Sequence, residues 1–196
     1  RGEHAQADMR RAFADDRLRF LTGDVRDRSR LLEAMDGVNI VVHAAALKRV
    51  ETAAYDPDEV VETNIIGSRN VVHAAIERRV ERLMGISSDK ACAPAIPYGR
   101  TKAVMEDLFV APRGESRTMR AVVRYGNVAG SQGSVIPLLL RQRDSGHIEL
   151  TDPRMTRFFL SLGDAVRWTK RRIELMEPGS IYVPVLPSTR LIDLAE

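Results

Sequence analysis

Short apolar runs that alternate with amphipathic segments constrain the fold of this chain more than any other feature. Asn39-Ile40-Val41-Val42-His43, Leu83-Met84-Gly85-Ile86-Ser87 and Met119-Arg120-Ala121-Val122-Val123-Arg124-Tyr125 each read as a buried strand. Arg19-Phe20-Leu21-Thr22 reads as an earlier one. Arg28–Met35, Glu59–Arg79 and Tyr98–Val110 carry apolar residues at helical spacing. Strands alternating with helices form a parallel sheet covered on both faces, because each crossover must bring the chain back to the same edge. In such sheets ligands lie beyond the carboxyl ends of the strands. Those ends are Gly23-Asp24-Val25, Ala44-Ala45-Ala46-Leu47-Lys48, Ser87-Ser88-Asp89-Lys90 and Tyr125-Gly126-Asn127, so four strand ends are expected to line one crevice.

One of these ends carries a set of reactive side chains. Tyr98 and Lys102 are four apart in a segment of helical spacing, so they share a helix face. A phenol ionises near pH ~10, and a nearby cation favours its phenolate. A phenolate beside a sugar hydroxyl takes the proton while hydride leaves the same carbon. Alone, such a pair is commonly a surface contact. Ser88-Asp89-Lys90 at the preceding strand end adds a hydroxyl, a carboxylate and an amine, and so turns the reading toward catalysis. The arrangement resembles the Tyr-x-x-x-Lys signature of short-chain dehydrogenases/reductases, with Ser88 in place of their serine or threonine. The expected fold class is therefore α/β, a Rossmann-like doubly wound parallel sheet.

Composition narrows the function classes. The chain has 196 residues, 44% hydrophobic and 29% charged, which suits a globular domain with its own core. Net charge is +3 and the arginines are dispersed, so no nucleic-acid partner is expected. No apolar run approaches the ~18 residues of a membrane span, and no signal peptide is visible. The single cysteine fits a cytoplasmic location, and Cys92 is read as a small buried hydrophobe. The four histidines lack ligand spacing, so no metal site is expected; His43 and His73 are read as structural.

A dinucleotide-binding fold should open with a strand, a Gly-rich turn and a helix. That unit is not in this sequence, which reads as an internal piece of a longer protein. Residues 1–134 are expected to form a partial NAD(P)-binding Rossmann domain. Residues 135–196, with segments Val135–Arg143, Leu162–Met176 and Ile181–Pro184, are expected to form part of a small substrate-binding region continuing the same domain.

Several motifs occur together and in order: Gly23-Asp24-Val25-Arg26-Asp27, His43-Ala44-Ala45-Ala46-Leu47-Lys48, Thr63-Asn64-Ile65-Ile66-Gly67, Ser88-Asp89-Lys90, Tyr98, Lys102, Arg124-Tyr125-Gly126-Asn127-Val128, Gly133-Ser134-Val135-Ile136-Pro137 and Met155-Thr156-Arg157-Phe158. Over nearly its whole length the chain resembles the UDP-N-acetylglucosamine 4,6-dehydratases of bacterial surface-sugar synthesis, and among them the C5-inverting branch of the pseudaminic-acid pathway. The resemblance implies NADP, or NAD, across the sheet, with Asp24, Val25, Ala44, Ala45, Lys48, Asn64, Tyr98 and Lys102 at cofactor positions. It implies a UDP-N-acetylhexosamine substrate near Lys48, Asn127, Val128, Val135 and Thr151, with Arg157 on its diphosphate or uracil side. Ser88, Asp89, Lys90, Tyr98 and Lys102 fall at catalytic positions. The family mechanism has Tyr98 take the C4 hydroxyl proton as hydride leaves, Lys90 remove the C5 proton, and Asp89 protonate the departing C6 hydroxyl. A homo-oligomer is implied for the full-length protein, with Glu59–Arg79 and Tyr98–Val110 across a dimer interface.

Departures from the family pattern are Ser88 for a usual threonine, Ala93 where Asn-Pro is frequent, Gln132 for a common arginine and Val50-Glu51 for Val-Pro. None removes a catalytic group. Two other readings stay open. A UDP-sugar 4-epimerase would keep Tyr98 and Lys102 but has no use for Asp89-Lys90. A catalytically silent dinucleotide-binding protein would need none of the four.

Overall fold

A computed structural model of the protein describes residues 2–112, 114, 116–131, 135–144, 146–150 and 152–195, without the side chains of 50–52, 144 and 195. The chain opens with α1 (Glu3–Phe13) and α2 (Arg28–Ala34). Asp27 caps α2 by accepting from Arg30 N at 3.0 Å. Strand β1 (Ile40–His43) follows, then α3 (Val50–Tyr55), α4 (Pro57–Val61), a π-helical turn (Glu62–Ile66) and α5 (Gly67–Glu77). Beyond them lie β2 (Arg82–Ser88), a 3₁₀ turn (Asp89–Ala91), α6 (Pro97–Val110), β3 (Met119–Tyr125) and β4 (Asn127–Val128). The chain continues through α7 (Val135–Asp144), β5 (Thr156–Leu160), α8 (Leu162–Glu174), β6 (Ile181–Tyr182), β7 (Ser188–Arg190) and α9 (Ile192–Ala195).

The main sheet is parallel throughout, in the order β1-β2-β3-β6. β2 alternates between two cores. Leu83 faces the layer of α2, α5 and α6 with Met35, Val71, Val72, Met105, Phe109 and Val122. Met84 faces Ala121, Val123 and Met176, with Trp168 and Ile173 of α8 packed against them. A strand buried on both faces has little use for polar residues, which is why Leu83–Ile86 and Ala121–Val123 read as continuous apolar runs. Phe109 is fully buried, and its ring fills the space over Gly85, where a Cβ would come within 2.9 Å of it. Truncating Phe109 to alanine would cost about 3–5 kcal/mol. A smaller sheet, β4-β5-β7, stands beyond the carboxyl edge of β3. Gly126 lets β5 approach there: a Cβ on it would lie 2.3 Å from the Phe158 carbonyl oxygen.

The structure departs from the sequence reading at Arg19–Thr22, which forms no strand. A strand exists only where a neighbour completes its hydrogen-bond ladder, and among the described residues this segment is tied by side chains instead. Gln6 Nε2 donates to Leu21 O and Arg30 Nε to Thr22 O. Glu59–Arg79 is likewise not one regular helix, because the π turn interrupts it at Thr63 and Asn64. No helix among the described residues is long and apolar enough to cross a membrane.

Candidate active site

The parallel register brings three of the four strand ends to one edge. His43 pairs with Gly85, and Ser88 with Tyr125, so Ala44–Lys48, Asp89–Lys90 and Gly126–Asn127 all emerge there. Gly23-Asp24-Val25 reaches its place as a turn before α2. Asn70 of α5 holds that turn by donating to Val25 O and Arg26 O, and Gly67 makes room for it, since a Cβ would stand 2.5 Å from Val25 Cγ2. The Asp24 carboxylate accepts from Arg26 N, Nε and Nη2, and Arg26 also bridges to Glu59 at 2.8 Å.

At the end of β2, Ser88 Oγ donates to Asp89 Oδ1 at 2.9 Å, and Lys90 Nζ donates to the same oxygen at 3.1 Å. Gly99 sets how close this turn lies to α6: a Cβ there would be 2.1 Å from Lys90 O. Without a side chain, the helix carrying Tyr98 packs directly on the Asp89-Lys90 backbone. Asp89, Lys90, Cys92, Ile96, Thr156 and Arg157 line a cavity of about 330 Å³ between this turn and β5. Cys92, expected to be buried, is exposed at its wall, because the chain has by then left the sheet. Neighbouring Ala93 has φ 43, a left-handed conformation that asparagine adopts more readily than alanine.

Tyr98 and Lys102 differ from the simple picture of a cation stabilising a phenolate. Burial pushes the Tyr98 phenol above its ordinary value, and the Asp89 and Tyr125 charges add to this, against a hydrogen bond with Ser88. Burial also lowers the Lys102 ammonium to about 8, opposed by Glu106. Both groups are pushed toward their neutral forms because desolvation penalises either charge. Lys102 Nζ donates to Ile86 O at 2.5 Å.

Asn64 has a fixed role in this arrangement. Its Oδ1 accepts from Leu47 N at 2.8 Å, and its Nδ2 donates to Leu47 O and to Thr101 Oγ1. Thr101 Oγ1 donates in turn to Tyr98 O. One amide thus ties the loop after β1 to the first turn of α6. The Asn64 carbonyl accepts from Ser68 Oγ, whose other partner is His43 Nε2 at 2.9 Å. Burial first, and then the Lys102 charge, lower the His43 pKa to about 3, so the ring is neutral.

Ala44, Ala45 and Lys48 are exposed beyond β1. Asn127 and Val128 pair with Phe159 and Leu160, and Val135 begins α7 half-buried. Thr151 lies outside the described residues. Among the described residues no group of three or more His, Cys, Asp or Glu side chains is placed to hold a metal ion.

A model of the polysaccharide biosynthesis protein family matches residues 1–196. The chain belongs to that family. It is 44% identical over 200 residues to the UDP-N-acetylglucosamine 4,6-dehydratase (inverting) of Campylobacter jejuni, a match covering 100% of this chain and 60% of the relative. It is 42% identical over 200 residues to a protein named UDP-glucose 4-epimerase in Rickettsia canadensis, covering 100% of this chain and 59% of that one. Among solved structures, Pen from Bacillus thuringiensis is 37% identical with a TM-score of 0.94, over 100% of this chain and 64% of its own. The chain therefore spans about 60% of the length of the curated relatives it matches.

Within this family member, sequence reasoning overlooked Thr101 and Glu106 and gave Arg124 no role of its own. Glu106 sits four residues after Lys102 on a helix, a spacing that signals a partner on the same face. The sequence carries no signal that Arg124 closes on it from β3.

Proposed function

We propose that the protein of which this chain forms part catalyses the 4,6-dehydration of UDP-N-acetylglucosamine, with inversion at C5, to a UDP-4-keto-6-deoxy-hexosamine. The observation that carries this reading is the Asp89–Lys90 contact in the cavity shared with Arg157. Oxidation at C4 alone requires one proton acceptor, whereas loss of the C6 hydroxyl also requires a base at C5 and an acid at C6. Lys90 Nζ and Asp89 Oδ1 stand 3.1 Å apart. Passage of one proton along that bond converts an ammonium and a carboxylate into a free amine and a protonated carboxyl, the base and the acid that elimination needs, with no change in net charge.

The residues fit a nicotinamide cofactor. Ile86 O engages one of the three N–H groups of the Lys102 ammonium, which leaves donors for ribose hydroxyls one helical turn from Tyr98. Asp24, Val25, Ala44, Ala45, Lys48, Tyr98 and Lys102 would hold it, with Asn64 acting through the loop after β1 that its amide fixes; the resemblance favours NADP, with NAD the alternative. Held there, such a cofactor would supply a hydride acceptor for C4 and a hydride donor for C6. Tyr98 takes the C4 hydroxyl proton as a phenolate, the form that a hydrogen bond from Ser88 favours against burial once that hydroxyl turns from Asp89 to the phenol. Lys90 removes the C5 proton once C4 is a ketone, Asp89 gives its proton to the leaving hydroxyl, and a solvent-derived proton enters C5 on the opposite face as C6 is reduced, which inverts that carbon. Arg157, at the cavity wall, serves the diphosphate, and Asn127, Val128, Val135 and Thr151 serve the sugar nucleotide. Residues 1–134 would then be the cofactor side of the domain and 135–196 the substrate side. A homo-oligomer would cover Val61 and Val104, which are exposed on α4 and α6.

The 4-epimerase reading draws support from the Rickettsia relative, which matches over the same number of residues. Two variants of the full-length protein separate them in D₂O. Lys90→Ala should show cofactor reduction without dehydrated product and without deuterium at C5. Asp89→Asn should slow both C5 exchange and loss of the C6 hydroxyl, because it removes the acid and also the acceptor that frees the Lys90 amine. Wild-type exchange at C5 in Lys90→Ala would remove Lys90 from the mechanism.

A further inference from the structure

Glu106 is 2% exposed, and a buried carboxylate requires a partner. Two cations are within its reach. Lys102 precedes it by one turn on α6, and Arg124 faces it from β3. Arg124 holds it: Nε donates to Oε1 at 2.9 Å and Nη2 donates to Oε2. This two-point match suits a planar guanidinium and is closed to an ammonium. Lys102 Nζ is turned instead to Ile86 O.

We propose that Arg124 is a positioning residue for Lys102: by occupying both oxygens of Glu106, it keeps Lys102 Nζ at the Ile86 carbonyl, on the face of α6 that carries Tyr98. Glu106 on its own helix acts on the Lys102 charge, and that charge acts on His43 of β1, with Arg124 on β3 behind Glu106; Tyr98 shares the helix, and the Asp89-Lys90 turn packs on the start of α6, where the Asp89 charge acts on Tyr98. His43 is neutral, so it neither competes for Glu106 nor adds a second cation. Without the guanidinium, Glu106 has Lys102 as its nearest cation, at a spacing where helix side chains meet. The ammonium then pairs with Glu106, leaves Ile86, and holds its proton to higher pH. The catalytic consequence rests on the function proposed above; the movement of Lys102 does not.

The test is a titration of Lys102 by lysine ¹³Cε NMR in the full-length protein without substrate, assigned with Lys102→Arg. Wild type should titrate near the burial-lowered value of about 8. In Arg124→Met the midpoint should rise by about one pH unit or more. In Arg124→Met/Glu106→Gln it should return to the wild-type value or below, because the competing carboxylate is gone. Turnover should fall in the single variant, with its alkaline limb moved up, and recover in the double variant. An unmoved Lys102 in a folded Arg124→Met protein overturns the proposal, as does a raised midpoint that persists in the double variant. Should Arg124→Met fail to fold, Glu106→Gln alone decides: Lys102 must titrate lower than in wild type, and an unchanged midpoint refutes the coupling. Wild type without dehydratase turnover, but with these midpoints as expected, would refute the assigned reaction and leave the positioning role standing.

Discussion

Replacing Lys102 by methionine should make the protein more stable at neutral pH while abolishing its chemistry. Lys102 is 4% exposed, and burial lowers its pKa from 10.5 to about 8. That difference of about 2.5 pH units corresponds to about 3 kcal/mol, the cost of keeping the ammonium charged in the folded state below pH 8. The unfolded chain holds this proton up to 10.5 and the native chain releases it near 8. Between those values the unfolded state binds more protons, so stability rises with pH. Methionine keeps much of the stem in place and removes the charge, but forfeits the hydrogen bond to Ile86 O, worth about 1 kcal/mol. Glu106 keeps Arg124 as its partner. The variant should therefore be more stable than wild type by about 2 kcal/mol near pH ~7. Wild type should recover about 2 kcal/mol by pH ~9.5, closing the gap. Urea unfolding of both proteins at these two values measures it. The upper limit matters because burial raises Tyr98 and Tyr125, and once unfolded phenols ionise above 10 stability falls again. A Lys102→Met protein less stable near neutrality, with the same pH slope as wild type, would refute the reasoning.

Three other outcomes are expected. Gly99→Ala puts a Cβ 2.1 Å from Lys90 O, so it should cost about 1–3 kcal/mol in thermal unfolding and depress turnover by displacing Asp89-Lys90. Ala93→Asn relieves part of the cost of φ 43 and should raise stability by about 1 kcal/mol; an unchanged or lower melting temperature would contradict this. His43 has a folded pKa of about 3 against 6.5 unfolded, so its contribution is present above 6.5 and lost as pH falls toward 3. His43→Gln should flatten that part of the acid limb in calorimetry, and an unaltered limb would show that other groups set it.

Much of the main sheet was legible because β2 and β3 are buried on both faces, so their apolar runs record the layers above and below. α6 was legible from its spacing, and with it the turn that separates Tyr98 from Lys102. Arg19–Thr22 misled because its apolar residues signal a strand while the ladder partner of a strand leaves no local trace. The π turn at Glu62–Ile66 was invisible for a similar reason, since Asn64 is drawn to Leu47 and Thr101 by long-range hydrogen bonds. Motif reading singled out Ser88, Asp89 and Lys90, which the structure places together at the end of β2. The contact of Gly99 with Lys90 O, the grip of Arg124 on Glu106 and the exposure of Cys92 depend on how elements cross, and the local pattern carries none of that. The burial that drives Tyr98 and Lys102 toward neutrality likewise comes from the assembled layers.

The central claim is that Asp89 and Lys90 extend an oxidation at C4 into an elimination across C5 and C6. It is tested most directly by giving the full-length protein UDP-N-acetylglucosamine in D₂O and identifying the product by mass spectrometry and NMR. The account predicts a 4-keto-6-deoxy sugar nucleotide that has lost one water, carries one solvent deuterium at C5, and is inverted there. A C4 epimer of unchanged mass with no deuterium at C5 would contradict it and assign the site to epimerisation.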